Sequence, residues 1–262
     1  MEQLREFKNF KIDGKFHQSG VQNLTVLEAC SYSDIDIPRF CYHRKLSIAG
    51  NCRMCLVEVV GNRKLVASCA ALVFNNINIL TNTSRVRKSR EGVLELLLYN
   101  HPLDCPICDQ AGECDLQDIT MKFGSDRGRF YELEKRAVSD KYCGPFIKTS
   151  MNRCIHCTRC VRFGIEIAGS NFLGTTGRGV NMEIGTYIDS FEDNELSGNI
   201  VDLCPVGALT SKPYSFTNRP WELKSIESLD LMDSFASSIR ADCYGNSIVR
   251  LLPKIDDSLN EE

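Results

Sequence analysis

One short stretch, HPLDCPICDQAGECDLQ (residues 101–117), most restricts how this chain can fold, because it places four metal-binding side chains in one loop. Pro102, Pro106 and Gly112 keep the backbone out of regular structure, so that the four side chains can converge. Soft thiolates at this spacing select either zinc or an iron–sulfur cluster, and this loop alone does not separate the two. This second ligand group, counted along the chain, consists of His101, Cys105, Cys108 and Cys114.

The first ligand group is a set of cysteines with the spacing C-x10-C-x2-C-x13-C. A loop with Gly50 just before a C-x2-C pair resembles plant-type ferredoxins that hold a [2Fe-2S] cluster, although their first gap is shorter. Gly50 has no side chain to block approach, so backbone N–H groups can point at the sulfides. Structural zinc sites usually pair two short knuckles, and only one is present here. The group consists of Cys41, Cys52, Cys55 and Cys69.

The third ligand group has the spacing C-x2-C-x2-C of bacterial ferredoxins, with a remote fourth cysteine before Pro205. Residues 161–164 are VRFG, so the run itself serves a single cluster. This pattern fits a [4Fe-4S] cluster and matches no common zinc site. The group consists of Cys154, Cys157, Cys160 and Cys204, and the cysteines outside all three groups, which we expect to be packed in cores or strands, are Cys30, Cys143 and Cys243.

Hydrophobic patterns predict the structure around these groups. Asp13-Gly14 and Gly61-Asn62 each join two short apolar stretches and predict hairpins, and Thr25 with Glu28 predicts a capping box at a helix start. With a fifth strand around Ile77, these elements predict a β-grasp domain. Residues 84–99 predict an amphipathic helix that delivers His101 to its loop.

Composition excludes several classes of protein. The net charge of -3 gives no reason to expect binding to nucleic acid or to an anionic membrane. The longest apolar run, residues 93–99, is far below the roughly 18 residues that a membrane span needs. The opening MEQLREFKNF has no apolar core, so we expect no leader, a reducing compartment and no disulfides among the fourteen cysteines.

Taken together, the three groups and their flanking sequences closely resemble the large iron–sulfur subunit of respiratory complex I, NADH:ubiquinone oxidoreductase. The resemblance is carried by RFCYHRKLSIAGNCRMCLVEV, NHPLDCPICDQAGECDLQD, RCIHCTRCVRF, LSGNIVDLCPVGALTSKPYSF and RPWELKSIESLDLMD. It implies an α+β chain of four parts. These are a [2Fe-2S] ferredoxin-type β-grasp domain (1–83), a His-ligated [4Fe-4S] domain (84–123), a [4Fe-4S] ferredoxin-like domain (124–218) and a truncated start of a molybdopterin-oxidoreductase-like domain (219–262).

The resemblance also implies a function. Electrons from NADH would pass through a flavin on a neighbouring subunit, then through one [2Fe-2S] and two [4Fe-4S] clusters, in the order first, third and second ligand group, toward quinone. We expect no catalytic residue and no NADH or quinone site on this chain. The location would be the matrix-side peripheral arm at the mitochondrial inner membrane, or the cytoplasmic side of a bacterial plasma membrane. The expected partners are the flavin-bearing NADH-binding subunit and the quinone-side iron–sulfur subunits.

Two other functions stay open. The diaphorase subunit of a soluble NAD-linked hydrogenase shares all three motifs, and a zinc-stapled interaction module would use the same ligands. The tail, from Trp221 to Glu262, argues against the diaphorase subunit.

In this tail we expect a two-stranded hairpin at Ile239–Cys243 and Ser247–Leu252. An isolated hairpin is marginal in water, so we also expect a separate chain carrying the rest of the molybdopterin-like domain. Only Cys243 follows Cys204, so we expect no fourth cluster.

Overall fold

The computed structural model describes residues 7–131, 134–186, 194–232 and 234–254, so the predicted first and last domains begin and end outside the described part. The first part contains five strands and one helix. The strands form one sheet in the order β2-β1-β5-β3-β4, in which β1 and β5 are parallel. This arrangement agrees with the predicted β-grasp fold. Its elements are β1 (Lys8–Ile12), β2 (Lys15–Ser19), α1 (Val26–Ser31), β3 (Leu56–Val59), β4 (Val66–Ala67) and β5 (Ile77–Leu80).

Local sequence explains these elements. Asp13 and Gly14 both have positive φ, 47° and 85°, which is the backbone of the tight turn predicted between β1 and β2. At the start of α1, the Glu28 amide donates to Thr25 Oγ1 at 3.2 Å and the Thr25 amide donates to the Glu28 carboxylate at 2.9 Å. The predicted capping box is therefore confirmed. Cys30 is fully buried in α1, as predicted, and belongs to the core of this part.

The second part is built on two helices, α2 (Ser84–Asn100) and α3 (Asp115–Phe123). Thr83 caps α2 by accepting a hydrogen bond from the Val86 amide at 3.2 Å. The helix ends before His101, which has extended backbone angles, because a residue that precedes proline is disfavoured in the α region. A short 3-10 turn at Cys105–Ile107 lies in the connecting loop.

The third part contains short, mostly paired elements. Strand β6 (Ile147–Thr149) pairs with β9 (Leu209–Ser211), and β7 (Gly174–Thr176) pairs with β8 (Glu183–Gly185), while the helices are α4 (Arg159–Glu166) and α5 (Asn199–Leu203). One core cluster draws side chains from all three parts of the chain. Its larger members include Phe40 and Met54 from the first part, Leu94 and Leu116 from the second, and Ile155 and Val206 from the third.

The tail differs from the prediction. It forms a three-stranded antiparallel sheet in the order β10-β11-β12, where we expected two strands. The additional strand was not predicted because all six of its side chains are exposed, so its sequence KSIESL has no alternation of buried and exposed residues. The argument from an isolated hairpin therefore fails, whereas the position of Cys243 in a strand is confirmed. The strands are β10 (Lys224–Leu229), β11 (Ser238–Tyr244) and β12 (Ser247–Pro253).

Within the described ranges, every helix is too short or too polar to cross a lipid bilayer.

Candidate metal centres

The four thiols of the first ligand group lie within reach of one another. Cys41 is hydrogen-bonded to Cys52, and Cys55 to Cys69. In each pair this hydrogen bond shifts the two pKa values apart. It lowers the pKa values of Cys52 and Cys55, and it raises the pKa values of their partners. Two of the four sulfurs therefore favour the thiolate form, which is the form that binds metals.

Two residues in the loop of the first ligand group have a left-handed backbone. Gly50 and Arg53 have positive φ, 65° and 57°, on either side of Cys52. Backbone hydrogen bonds from Cys41, Met54 and Phe40 reach Cys52 and further lower its pKa. These N–H groups point toward the sulfur, and so they can offset negative charge at the site.

The second ligand group, unlike the first, has one cysteine that is exposed to solvent. His101 Nδ1 is buried and has no hydrogen-bond partner among the described residues. Burial, together with the nearby charges of Arg153 and Lys135, lowers the pKa of His101 to about 4, so the imidazole is neutral near pH 7. Cys108 and Cys114 are buried, whereas Cys105 is exposed at the start of its turn. A neutral imidazole with an unpaired nitrogen and three thiols is a set of donors that suits soft metals.

The third ligand group encloses a small apolar cavity. All four cysteines line it, together with Met151, Ile155, Arg159, Ile184, Val206, Ala208 and Leu209. Burial raises the pKa of Cys154 to about 11 and that of Cys204 to about 12, and it raises the pKa values of Cys157 and Cys160. Thiolates in such a place need positive charge nearby, which a bound metal centre supplies.

The backbone beside two ligands of the third group, Cys157 and Cys204, departs from regular structure. His156 and Thr158, the residues on either side of Cys157, both have positive φ, 54° and 61°. Cys204 ends α5 in an extended conformation immediately before Pro205. His101 and Cys204 are thus alike, since each is a candidate ligand at the end of a helix and immediately before a proline.

Among the described residues, no three histidine, cysteine, aspartate or glutamate side chains are arranged to hold a single metal ion. The residues present nevertheless fit iron–sulfur groups by donor chemistry, since each site supplies soft sulfur donors, most of them buried or half-buried.

Two arginines that the sequence analysis overlooked join the first and third ligand groups. The Arg162 guanidinium donates to the carbonyl oxygens of Cys41 and Cys157, the latter at 3.3 Å. Arg159 donates to the Tyr42 carbonyl at 2.9 Å. Their places in the sequence, Arg159 between Cys157 and Cys160 and Arg162 just after the cysteine run, were the only signal available, because a basic residue on a helix is usually solvated.

The third ligand group also contacts the second. The carbonyl oxygen of Pro205 accepts a hydrogen bond from the Asp115 amide at 3.1 Å and lies 3.8 Å from Cys114 Sγ. The third group therefore lies against both of the others.

Cys143 lies outside the three groups. It is buried in the core cluster that includes Phe163 and Leu173, and burial raises its pKa to about 11. Packing is sufficient to explain its position.

Family models match four successive stretches of the chain. Residues 9–84 match the 2Fe-2S iron-sulfur cluster binding domain, and 90–129 match the NADH-ubiquinone oxidoreductase-G iron-sulfur binding region. Residues 144–210 match the ferredoxin-like domain of NADH-quinone oxidoreductase subunit 3. Residues 223–262 match a model described as the NADH-ubiquinone oxidoreductase NDSU1/NuoG-like 4Fe-4S domain, although Cys243 is the only cysteine in that stretch.

Curated relatives match most of the chain. It is 64% identical over 238 residues, 91% of its length, to the NADH-ubiquinone oxidoreductase 75 kDa subunit of Reclinomonas americana. It is 59% identical over 252 residues, 96% of its length, to the mitochondrial 78 kDa subunit of Neurospora crassa. In both cases the match covers 34% of the relative, so the chain spans about a third of their length.

A solved structure is similar in fold. A chain in the crystal structure of an NAD+-reducing [NiFe]-hydrogenase in the H2-reduced state superimposes with a TM-score of 0.73 at 26% identity. The match covers 81% of this chain and 90% of that one.

Proposed function

Because this chain belongs to the family of large iron–sulfur subunits of NADH-ubiquinone oxidoreductase, we propose that it relays electrons from NADH toward ubiquinone within respiratory complex I. Relatives named as mitochondrial support a mitochondrial location. We place the chain in the matrix-side peripheral arm at the inner membrane, next to the flavin-bearing subunit and the quinone-side iron–sulfur subunits. A cytoplasmic-side position in a bacterium is the alternative.

The three ligand groups are proposed to hold one [2Fe-2S] and two [4Fe-4S] clusters. When bound, such clusters take up and release single electrons. The [2Fe-2S] cluster is assigned to Cys41, Cys52, Cys55 and Cys69. One [4Fe-4S] cluster is assigned to His101, Cys105, Cys108 and Cys114, and the other to Cys154, Cys157, Cys160 and Cys204.

The observation that carries this proposal is the position of the third ligand group between the other two. Arg162 bridges it to the first group, and the Pro205 carbonyl contacts the second group at Cys114. This arrangement supports electron flow in the order first, third, second.

The protein's own contribution is to set the environment of each site. Neutral His101 replaces a thiolate and so removes one negative charge from the second group. Buried thiols and backbone N–H groups govern how readily each site accepts an electron, since hydrogen bonds and solvent exposure tune such centres.

A metal and spectroscopic measurement tests the assignment. We expect about ten iron atoms and about ten acid-labile sulfides per chain after anaerobic reconstitution, from one two-iron and two four-iron centres. Electron paramagnetic resonance (EPR) of the reduced protein should then show three distinct signals. Stoichiometric zinc, with little iron and no colour change on reduction, would support the zinc-stapled module instead.

The similarity to the hydrogenase chain favours a second candidate, the diaphorase subunit of a soluble NAD-linked hydrogenase. A subunit inventory of the native particle by mass spectrometry separates the two. Quinone-side complex I subunits would support our proposal, and nickel with hydrogen-dependent NAD reduction would overturn it. That a separate chain carries the rest of a molybdopterin-oxidoreductase-like domain stays a prediction, which the same inventory tests.

A further inference from the structure

A short linking segment, residues 204–207, runs from the last ligand of the third group to the edge of the second group. Cys204 begins it, and the Pro205 carbonyl contacts Cys114 and the Asp115 amide. Gly207 ends it and lies against Cys108, another ligand of the second group. The segment is therefore in contact with ligands of both candidate [4Fe-4S] sites.

The space at Gly207 is the tightest feature of this contact. A Cβ atom built on Gly207 would lie 2.3 Å from Cys108 Sγ and 3.1 Å from the Gln110 Cβ. Real Cβ atoms do not approach other atoms so closely, so either the sulfur or the segment must move. Gly207 is not among the residues with positive φ, so its backbone is open to any L-amino acid. The requirement for glycine here therefore comes from the neighbouring loop, above all from the Cys108 sulfur.

The surroundings leave little freedom for relief. Arg153, itself 7% exposed, donates to the Gly207 carbonyl at 3.4 Å and to the Asp104 carboxylate at 3.2 Å. Val206, the neighbour of Gly207, is 1% exposed. Because the segment is fixed on both sides, the atom that yields to a new methyl group is Cys108 Sγ.

We propose that Gly207 is a positioning residue for the second ligand group, where its missing side chain sets the place of the Cys108 sulfur. Through the linking segment it also sets the separation between the second and third groups. This inference rests on the proposed function in taking the second group to bind a cluster.

The test compares Gly207→Ala with Gly198→Ala in the full chain, reconstituted anaerobically. Gly198 is a matched control, because it has a negative φ of -59° and a Cβ there would meet nothing within 4 Å. We expect Gly207→Ala to lose or alter the EPR signal of the His-ligated cluster alone. Complete loss lowers the iron content from about ten to about six atoms per chain. The control should match the wild type.

Two results would overturn the inference. One is a Gly207→Ala protein whose iron content and three signals equal those of the control. The other is loss of the third group's signal with that of the second group unchanged. If the wild type itself shows no cluster signals, the proposed function has failed, which is distinguishable from failure of this inference.

A second pair of variants covers the case in which Gly207→Ala folds but is too unstable to be reconstituted. In the cluster-free chain, Gly207→Ala should lower the denaturant midpoint when Cys108 is present, and have no such effect in the Cys108→Ala background, where the opposing sulfur is gone. An equal loss of stability in both backgrounds would show that Gly207 serves the fold and does not position the ligand.

Discussion

Asp242 is the most deeply buried carboxylate of the tail sheet, and its replacement by asparagine tests how that sheet is held. The side chain is 1% exposed and lies on β11. Ser225 donates to it from β10 at 2.6 Å, and Arg250 donates from β12 at 2.8 Å. Arg240 forms a third contact at 3.1 Å. One carboxylate thus joins all three strands.

The same network connects the sheet to the second ligand group. Arg250 makes two further hydrogen bonds, at 2.9 and 2.8 Å, to the Glu113 carboxylate, which is next to Cys114. Its guanidinium also lies over the Tyr214 ring, 4.6 Å from the centroid. Asp242→Asn keeps the shape of the side chain and removes its charge, so that Arg250 retains only Glu113 as an anionic partner.

The expected cost follows from these contacts. Removing one partner of a buried ion pair costs about 3–5 kcal/mol, and a hydrogen bond to a charged group contributes about 1.5–3 kcal/mol. Arg250 keeps Glu113, and Arg240 is 39% exposed and can be solvated, so we expect the lower limit, about 3 kcal/mol. A change of this size accelerates exchange of the amides of β10–β12 by roughly two orders of magnitude.

Hydrogen–deuterium exchange followed by mass spectrometry measures this directly. The matched control is Glu227→Gln in the same sheet, whose partner is Lys254 and whose side chain is 71% exposed. Such an exposed pair contributes less than about 1 kcal/mol, so exchange should rise by less than about fivefold. If Asp242→Asn also stays within fivefold of the wild type, the carboxylate does not hold the sheet and the reasoning is refuted.

The effect also has a predictable pH dependence. Burial alone would raise the pKa of Asp242, but hydrogen bonds from Ser225 and Arg250 and the charge of Arg240 more than offset it and lower the pKa below its usual range. A carboxylate with a lowered folded pKa stabilises the fold above its unfolded pKa of about 4, and this contribution is lost as the pH falls through the folded value. The difference between wild type and Asp242→Asn, corrected for intrinsic exchange, should therefore be full near pH 7 and shrink below about pH 4.

Three further pairs of variants test the site, a helix cap and the core. Cys154→Ser should abolish the third group's EPR signal and lower NADH-to-quinone activity in the assembled enzyme. Cys143→Ser should retain both, because only Cys154 is assigned as a ligand. Equal losses in the two variants would contradict the assignment. Thr83→Ala should weaken exchange protection in the first turn of α2 by about 1 kcal/mol, and Thr83→Ser should not, since the serine hydroxyl can still accept the amide hydrogen bond. Leu94→Ala should lower the free energy of unfolding in urea by about 2–5 kcal/mol, because it leaves a cavity in the core cluster shared by the three parts. The control is Leu98→Ala, at a partly exposed position of the same helix. If Leu94→Ala has no larger effect than Leu98→Ala, Leu94 does not belong to a shared core.

The sequence alone predicted features that depend on neighbouring residues. The turn at Asp13-Gly14 needs two residues that tolerate positive φ, and the capping box at Thr25 and Glu28 closes within one helical turn, so a few letters are enough to identify each. The ligand spacings are likewise local, because a C-x2-C pair bends the chain around one site whatever surrounds it. His101 could be placed at a helix end because Pro102 follows it.

Tertiary structure decided what depends on distant parts of the chain. Strand β10 is recognisable only through its pairing with β11, because with every side chain exposed it carries no hydrophobic period in its sequence. The bridge made by Arg162 joins residues that are 121 positions apart, and a basic residue on a helix has many possible partners. The need for glycine at position 207 is invisible for the same reason, since its cause is a sulfur atom on another loop and not the backbone of Gly207 itself. Spacing determines which side chains can share a site, but only the packing of the whole chain determines which sites lie next to each other.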